Sequence, residues 1–175
     1  MNFAFEPEKA LEAILYAANR VRGQNMYLTL KTLYMADKLS LERYGRFTFG
    51  DWYCAMQYGP VGSHAYDIIK HARGDADHPY CDVPGVRDAM SVQSNQIQAS
   101  RDADLAWLSD SDVECLNEAI ASYGTKSFSE AKDASHDEAW NATGRNQRIA
   151  TEAIAATLAN PAEIIQYLVD RSPDD

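Results

Sequence analysis

The strongest constraint in this sequence is a series of apolar residues at helical spacing, in segments that each end at a glycine. Glycine closes helices well because it adopts the left-handed conformation without a steric penalty. Apolar residues three or four positions apart give each segment one apolar face, which must pack against another element. The pattern predicts helices over Pro7–Arg22, Leu30–Tyr44 and Val61–Ala72, closed by Gly23, Gly45 and Gly74. Thr29 is the predicted cap of the second helix.

Serine-led caps continue the helical series towards the C-terminus. Ser109 is predicted to cap a helix that Gly124 closes. Two further serines, Ser127 and Ser135, are each followed three positions later by a glutamate, which is the pattern of a capping box. These boxes predict two short helices that meet at a corner. The last predicted helices start near Thr151 and Asn160.

A stretch rich in aromatic residues interrupts the helical pattern and predicts a short hairpin. In this hairpin Arg46–Thr48 pairs with Trp52–Gln57, and Gly50-Asp51 forms the turn. Gly59-Pro60 then ends the strand and opens the third helix, with Pro60 at its first position.

The segment between residues 74 and 104 has the weakest pattern. Two thin strands are predicted within it, over Met90–Val92 and Ile97–Ala99. The expected fold class is therefore mainly α (α+β): a compact domain of about six to seven helices with a small antiparallel β-hairpin or sheet.

Length and composition define the expected domain organisation. The chain has 175 residues, of which 46% are hydrophobic, and this is enough for one core without disulfides. We expect a single domain over residues 1–171 and a loose tail over residues 172–175. No apolar run approaches the roughly 20 residues of a membrane helix, and no signal-peptide pattern opens the chain, so we expect no membrane partner. Scattered cysteines (Cys54, Cys81 and Cys115) fit a reducing cytoplasm.

The charge of the chain argues against a nucleic-acid partner. Its formal net charge is -10, and its lysines and arginines form no basic stripe. A polyanion such as DNA would be repelled by this average surface.

Asp37 is the most informative single residue, because its spacing from Leu33, Tyr34 and Leu41 places it on the apolar face of the second helix. A carboxylate in such a place costs several kcal/mol, as an order of magnitude, unless it is paired and hydrogen-bonded. We therefore expect a dedicated partner: a histidine, an arginine, an indole N–H or a capped helix end. A buried anchor that fixes how this helix docks is favoured over a general acid or base.

The other residues that are capable of catalysis or metal binding also favour a structural role. His136 lies four positions before Trp140 and could donate to Asp37 from across the domain. His78 and Cys81 fit the spacing of zinc ligands only loosely. The common nucleophile, phosphate-loop and metalloprotease motifs are absent from the sequence. We expect no enzyme activity, no cofactor and no metal site.

Taken together, the motifs resemble those of one family. Lys31, Tyr34 and Asp37 look like its K-x-x-Tyr-x-x-Asp helix. The segments Tyr44-Gly45-Arg46, Gly50-Asp51, Tyr53 and Gly59-Pro60-Val61 look like its hairpin and its Gly-Pro turn. Ser135-His136 with Trp140 looks like its late Ser-His…Trp element. In order and spacing these resemble the Panacea domain, also called the SocA-like antitoxin or phage-associated domain, over about residues 11–154.

The resemblance implies an antitoxin that neutralises a co-encoded protein toxin by direct binding. In one branch of the family the member acts instead as an adaptor that delivers the toxin to a protease. Homo-oligomers, or hetero-oligomers with the toxin, are both compatible with this role. The positions that the resemblance marks as defining the domain are Lys31, Asp37, Gly50, Tyr53, Gly59, Pro60, Val61, His136 and Trp140.

The aromatic residues near the Gly-Pro turn are the candidate toxin-binding surface. Tyr53, Tyr58 and Tyr66 cluster there in the sequence, together with His64. Aromatic side chains are good interface anchors, although they also complete small cores. Three functions thus stay open: an antitoxin, a protease adaptor, and a small hydrolase that uses Asp37 and His136.

Overall fold

The computed structural model describes residues 3–75 and 83–171, and helices predominate among them. The helices are α1 Pro7–Ala18, α2 Met26–Tyr44, α3 Ser63–Arg73, α4 Val86–Ala89, α5 Asp110–Tyr123, α6 Phe128–Ser135, α7 Glu138–Asn141, α8 Thr151–Ala155 and α9 Pro161–Asp170. The strands are β1 Tyr53–Met56, β2 Gly59–Gly62, β3 Met90–Gln93 and β4 Gln96–Ala99, which form the antiparallel pairs β1–β2 and β3–β4. The mainly α fold class is confirmed.

Helix α2 is the centre of the fold, since its residues are buried on nearly every side. It packs against α1, α5, α6 and β2. One apolar core lies between α1, α2, α3 and the β3–β4 pair, and a second lies between α2, β1, α8 and α9. A polar residue on the buried part of α2, such as Asp37, is therefore shielded from solvent and must find partners inside the protein.

The cap of α2 differs from the predicted one. The Asn25 side chain accepts the backbone N–H groups of Tyr27 and Leu28, both at 3.0 Å, so the helix begins at Met26. The predicted cap, Thr29, is wrong, because its hydroxyl lies inside the first turn and donates to the Asn25 carbonyl at 3.0 Å. The predicted end at Gly45 is confirmed by a left-handed φ of 65°.

Helix α1 is shorter than predicted. It ends at Ala18, and Arg22–Gln24 form a separate 3₁₀ turn in which Gly23 is left-handed. The backbone N–H of Arg22 donates to the carbonyl of Gly124 at 2.6 Å. This long-range hydrogen bond redirects the chain, and local periodicity does not reveal it.

The predicted hairpin has the wrong partner strand. β1 pairs with β2, with Ala55 opposite Pro60, so the turn lies at Gln57-Tyr58. The predicted strand Arg46–Thr48 is irregular instead. Pro60 lies within β2 and does not open α3, which begins at Ser63.

Asp51 explains why Gly50-Asp51 does not form the hairpin turn. Its buried carboxylate accepts the backbone N–H of His64 at 3.0 Å and that of Ala65 at 2.9 Å. These are unsatisfied donors of the first turn of α3, so a residue well upstream supplies the cap of this helix.

The opposite edge of β1 is bonded to a later segment of the chain. The N–H of Ile149 donates to the Tyr53 carbonyl, and the N–H of Asn146 donates to the Ala55 carbonyl, both at 2.8 Å. This pairing brings the loop with Arg145 beside the hairpin.

The predicted cap at Ser109 and the predicted capping box at Ser127 are confirmed. Ser109 and Ser127 cap α5 and α6, each paired with the acid three residues later. The predicted box at Ser135 is wrong, because Ser135 is the last residue of α6 and its hydroxyl donates to the Lys132 carbonyl. Asp137 caps α7 in its place.

The two thin strands are confirmed as β3 and β4. They are joined by Ser94 and Asn95, whose φ values of 49° and 63° are typical of a tight hairpin turn. The predicted tail 172–175, and the His78 and Cys81 pair, lie outside the described residues. None of the described helices is long and apolar enough to cross a bilayer.

Candidate functional site

The Asp37 carboxylate joins α2 to the start of the hairpin. Asp37 is 1% exposed. Its Oδ1 accepts the backbone N–H of Thr48 and its Oδ2 accepts the hydroxyl of Tyr53, both at 2.7 Å. The sequence predicted a dedicated partner but not its kind, since a backbone N–H and a phenol occupy the positions expected for a histidine, an arginine, an indole or a helix end.

Burial dominates the electrostatics of Asp37. It raises the pKa from 3.8 to about 6, while the hydrogen bonds from Thr48 and Tyr53 lower it and so offset part of the effect. The expected donation from His136 to Asp37 does not occur, because other donors bind both oxygens. The arrangement holds the hairpin in place and gives no support to catalysis by this pair.

His136 and Trp140 form a stacked pair on the other side of the hairpin. Their ring centroids are 3.7 Å apart, and the indole N–H donates to the Met56 carbonyl at 2.9 Å. Burial, and then the nearby charge of Lys31, lower the pKa of His136. Its Nε2 is buried and has no hydrogen-bond partner among the described residues.

Asp137, which the sequence analysis did not single out, joins the same region to α2. Its Oδ2 accepts the Tyr34 hydroxyl and the Lys38 ammonium, each at 2.8 Å. Its Oδ1 accepts the backbone N–H of Trp140, which makes Asp137 the N-cap of α7. The signal was present, since an aspartate that directly precedes Glu138 and Ala139 is a good helix cap.

Gly59 is the point where three of the family-like motifs meet. Its φ of 108° favours glycine. A Cβ at this position would lie 2.5 Å from Ser135 Oγ, 2.6 Å from Lys31 Nζ and 3.3 Å from the His136 ring. The glycine of the turn is therefore required both by backbone conformation and by space.

Lys31 differs from the other polar residues of α2. It is 2% exposed, and no described carboxylate forms an ion pair with its ammonium group. Burial alone lowers its pKa from 10.5 to about 8. A buried cation without an anion is unfavourable, so this position requires an explanation beyond folding.

Gly50 is also required by the packing. Its φ is 73°, and a Cβ there would lie 1.9 Å from the backbone carbonyl oxygen of Ala4. Pro60 and Val61 are buried in β2. The structure thus places the domain-defining positions around one hairpin, although they are far apart in sequence.

A concave surface surrounds this hairpin. Three hollows of about 220, 260 and 430 Å³ adjoin there, and Met56 lines all of them. We call this region the hairpin surface; the side chains that define it are Tyr27, Met56, Tyr58, Tyr66, Phe128 and Arg145. Phe128 packs edge-on against Tyr58, with ring centroids 5.6 Å apart, and the two side chains are 41% and 47% exposed.

The predicted surface residues separate into two groups. Tyr58 is exposed and Tyr66 is half-buried, and both line the 220 Å³ hollow. Tyr53 is 1% exposed, so its predicted place on an accessible surface is wrong, because its hydroxyl is needed by Asp37. His64 is half-buried, with its Nδ1 2.8 Å from Asp51 Oδ1 and its ring stacked on Phe5. Phe128 and Arg145 were missed because only folding brings them beside the hairpin.

A comparison with family models identifies the group of proteins to which this fold and these residues belong. The model described as antitoxin SocA-like, Panacea domain, matches residues 30–141, which is more than half of the chain. The chain belongs to the SocA-like, Panacea-domain antitoxin family. Searches of curated proteins and of solved structures find no match.

The Panacea match begins just before Lys31 and ends just after Trp140. It therefore contains α2 after its first turn, the hairpin and the His136–Trp140 pair, which are the elements that meet at Gly59. The family assignment supports an antitoxin role in general, and the match covers the buried scaffold and all of the hairpin surface except Tyr27 and Arg145.

Replacing Tyr53 with phenylalanine should destabilise the fold more at high pH than at low pH. With a folded pKa of about 6 and an ordinary value of 3.8, Asp37 favours folding most below that ordinary value and loses this contribution as pH rises through about 6. The Tyr53 hydroxyl stabilises the ionised form. Its loss should cost about 1–3 kcal/mol at about pH 8 and much less at about pH 5.

Chemical denaturation at the two pH values measures this difference. The exposed Tyr58→Phe variant is the matched control and should change the unfolding free energy by no more than about 0.5 kcal/mol. A Tyr53→Phe effect that does not vary with pH would contradict the assigned hydrogen bond to an ionised Asp37.

Replacing Gly59 with alanine should lower the unfolding free energy by about 2–4 kcal/mol, through backbone strain and overlap with Ser135. Gly74→Ala is the control, because Gly74 also has a positive φ of 91° but no described atom within 4 Å of its Cβ position. The control should cost about 1 kcal/mol. Equal losses in denaturation midpoints would show that space beside Gly59 is not limiting.

Proposed function

We propose that this protein is an antitoxin that neutralises a co-encoded protein toxin by binding it directly through the hairpin surface. The family assignment supports an antitoxin role, and one structural observation carries the rest of the proposal. Exposed aromatic side chains surround adjoining hollows on a scaffold that is fixed by buried hydrogen bonds.

The aromatic residues of the hairpin surface suit a protein partner. Tyr58 and Phe128 expose large rings that contact each other and remain half accessible. Tyrosine and phenylalanine anchor interfaces well, because they bury a large area and lose little side-chain entropy. The hollows beside them offer recesses for side chains of the partner.

The scaffold beneath this surface is pre-organised. The hairpin is held by Asp37 through Tyr53 and by Trp140 through the Met56 carbonyl. Rigid elements lose less conformational entropy on binding, which favours affinity. Hydrolysis by Asp37 and His136 gains no support, because Asp37 is buried and its two oxygens are bound by Thr48 and Tyr53.

Co-expression with the protein encoded by the adjacent gene tests this proposal. The wild-type chain should restore growth against that toxin and should co-purify with it. Tyr58→Ala should weaken the purified complex by about tenfold to a hundredfold. Tyr44→Ala is the matched control, since Tyr44 is 39% exposed at the far end of α2 and should bind as the wild type does.

Two results would contradict direct neutralisation through this surface. One is a toxin that stays active although it is saturated with the wild-type chain. The other is an unchanged affinity in the Tyr58→Ala variant. A toxin whose half-life shortens only when the chain and a working protease are both present would indicate the adaptor mechanism instead.

A further inference from the structure

The 220 Å³ hollow of the hairpin surface has an unusual charge for this protein. Lys31 and Arg145 both line it, and no aspartate or glutamate is among its described lining residues. The chain as a whole carries a net charge of -10. Acidic residues outnumber basic residues in the chain, so a hollow lined by two cations and no described acid is a local positive site on an acidic molecule.

Neither cation of this hollow has an acidic partner among the described residues. Arg145 donates to the amide oxygen of Gln57 at 3.1 Å, and Lys31 has no ion pair. Other lysines that are largely buried do pair, as Lys9 does with Asp112 at 2.9 Å and Lys38 does with Asp137 at 2.8 Å. The fold thus neutralises its buried cations elsewhere and leaves Lys31 unpaired.

Most of the remaining walls of the hollow are apolar or aromatic, and the amide residues Gln57 and Asn146 complete the lining. Leu30, Val61 and Met56 line it, and Tyr27, Tyr58 and Tyr66 surround them. Such walls exclude water, which strengthens the attraction between a cation and an anion inside. They also suit the short aliphatic or aromatic stem that carries a carboxylate on a side chain.

We propose that this hollow binds a carboxylate group, which in the antitoxin–toxin complex belongs to an acidic side chain of the toxin. The carboxylate pairs with the ammonium of Lys31, the guanidinium of Arg145 binds it from the rim, and the tyrosines pack on its stem. The identity of the partner rests on the proposed function, whereas the preference of the hollow for a carboxylate does not.

The preference for a carboxylate is tested without the toxin. The full chain is titrated by NMR with 3-phenylpropionate and with its uncharged analogue 3-phenylpropionamide. The wild type should bind the acid at least about tenfold more tightly than the amide, with the largest shifts at Lys31 and Tyr58. Equal binding of the two probes by the wild type would overturn the proposal.

Variants identify the group responsible. Lys31→Met should abolish the preference for the acid, and Arg145→Gln, at an exposed position, should reduce it by a smaller factor. Lys126→Met is the matched control and should keep the full preference. Lys31→Met should fold at least as stably as the wild type, because it removes a buried charge that has no partner. A Lys31→Met variant that keeps the preference would overturn the assignment.

Binding measurements with the toxin separate this proposal from the proposed antitoxin role itself. Lys31→Met should weaken binding to the toxin encoded by the adjacent gene by at least about tenfold. One Glu→Gln or Asp→Asn substitution in the toxin should cause the same loss. Combining that toxin substitution with Lys31→Met should add little further loss. If Tyr58→Ala disrupts the complex but Lys31→Met does not, direct binding stands, and the assignment of the carboxylate to a toxin side chain is overturned.

Discussion

The two hydrogen bonds that the buried Asp37 carboxylate accepts connect the central helix α2 to the segment before the hairpin and to the first strand of the hairpin. Because α2 is enclosed, an ionised group on it is tolerated only where donors reach it, and Thr48 and Tyr53 supply them. The same tyrosine starts β1, so this contact fixes the first strand of the hairpin against α2, while Trp140 holds the end of that strand through the Met56 carbonyl. Tyr34, one turn away, packs edge-on against the Tyr53 ring and donates to Asp137.

Polar residues spaced three apart on α2 have different physical roles. Tyr34 and Asp37 are satisfied within the fold, whereas Lys31 at the same face is buried beside Gly59 and has no acidic partner. A buried group with its partners inside the fold fixes a structure, while a cation that lines a hollow with no acid beside it is available to an anion from outside the chain, as we propose for Lys31. This contrast divides the family motif into a scaffold part, Tyr34 and Asp37, and Lys31, to which we assign the proposed carboxylate site.

Local sequence signals were correct at several helix ends, where the interaction is itself local, although the caps predicted at Thr29 and Ser135 were wrong. Gly45 ends α2, and Ser127 caps α6 with the glutamate three residues later, because all the atoms involved lie within one helical turn. The hairpin prediction was wrong for the opposite reason, because the interaction that decides it is not local. Gly50-Asp51 has the chemistry of a turn, yet the Asp51 carboxylate caps α3, and a turn residue that bonds a distant helix cannot be recognised from its neighbours.

The sequence by itself determined the mainly α class, the ends of α2, α3 and α5 at glycine, the burial of Asp37 and the family likeness, since each depends on residue type and short spacing. Only the tertiary structure decided which donors Asp37 receives, that Tyr53 is inside, and that Lys31 and Arg145 share one hollow without an acid. These features join positions as much as a hundred residues apart. Their energies depend on packing and desolvation, which arise only once the chain has closed around α2.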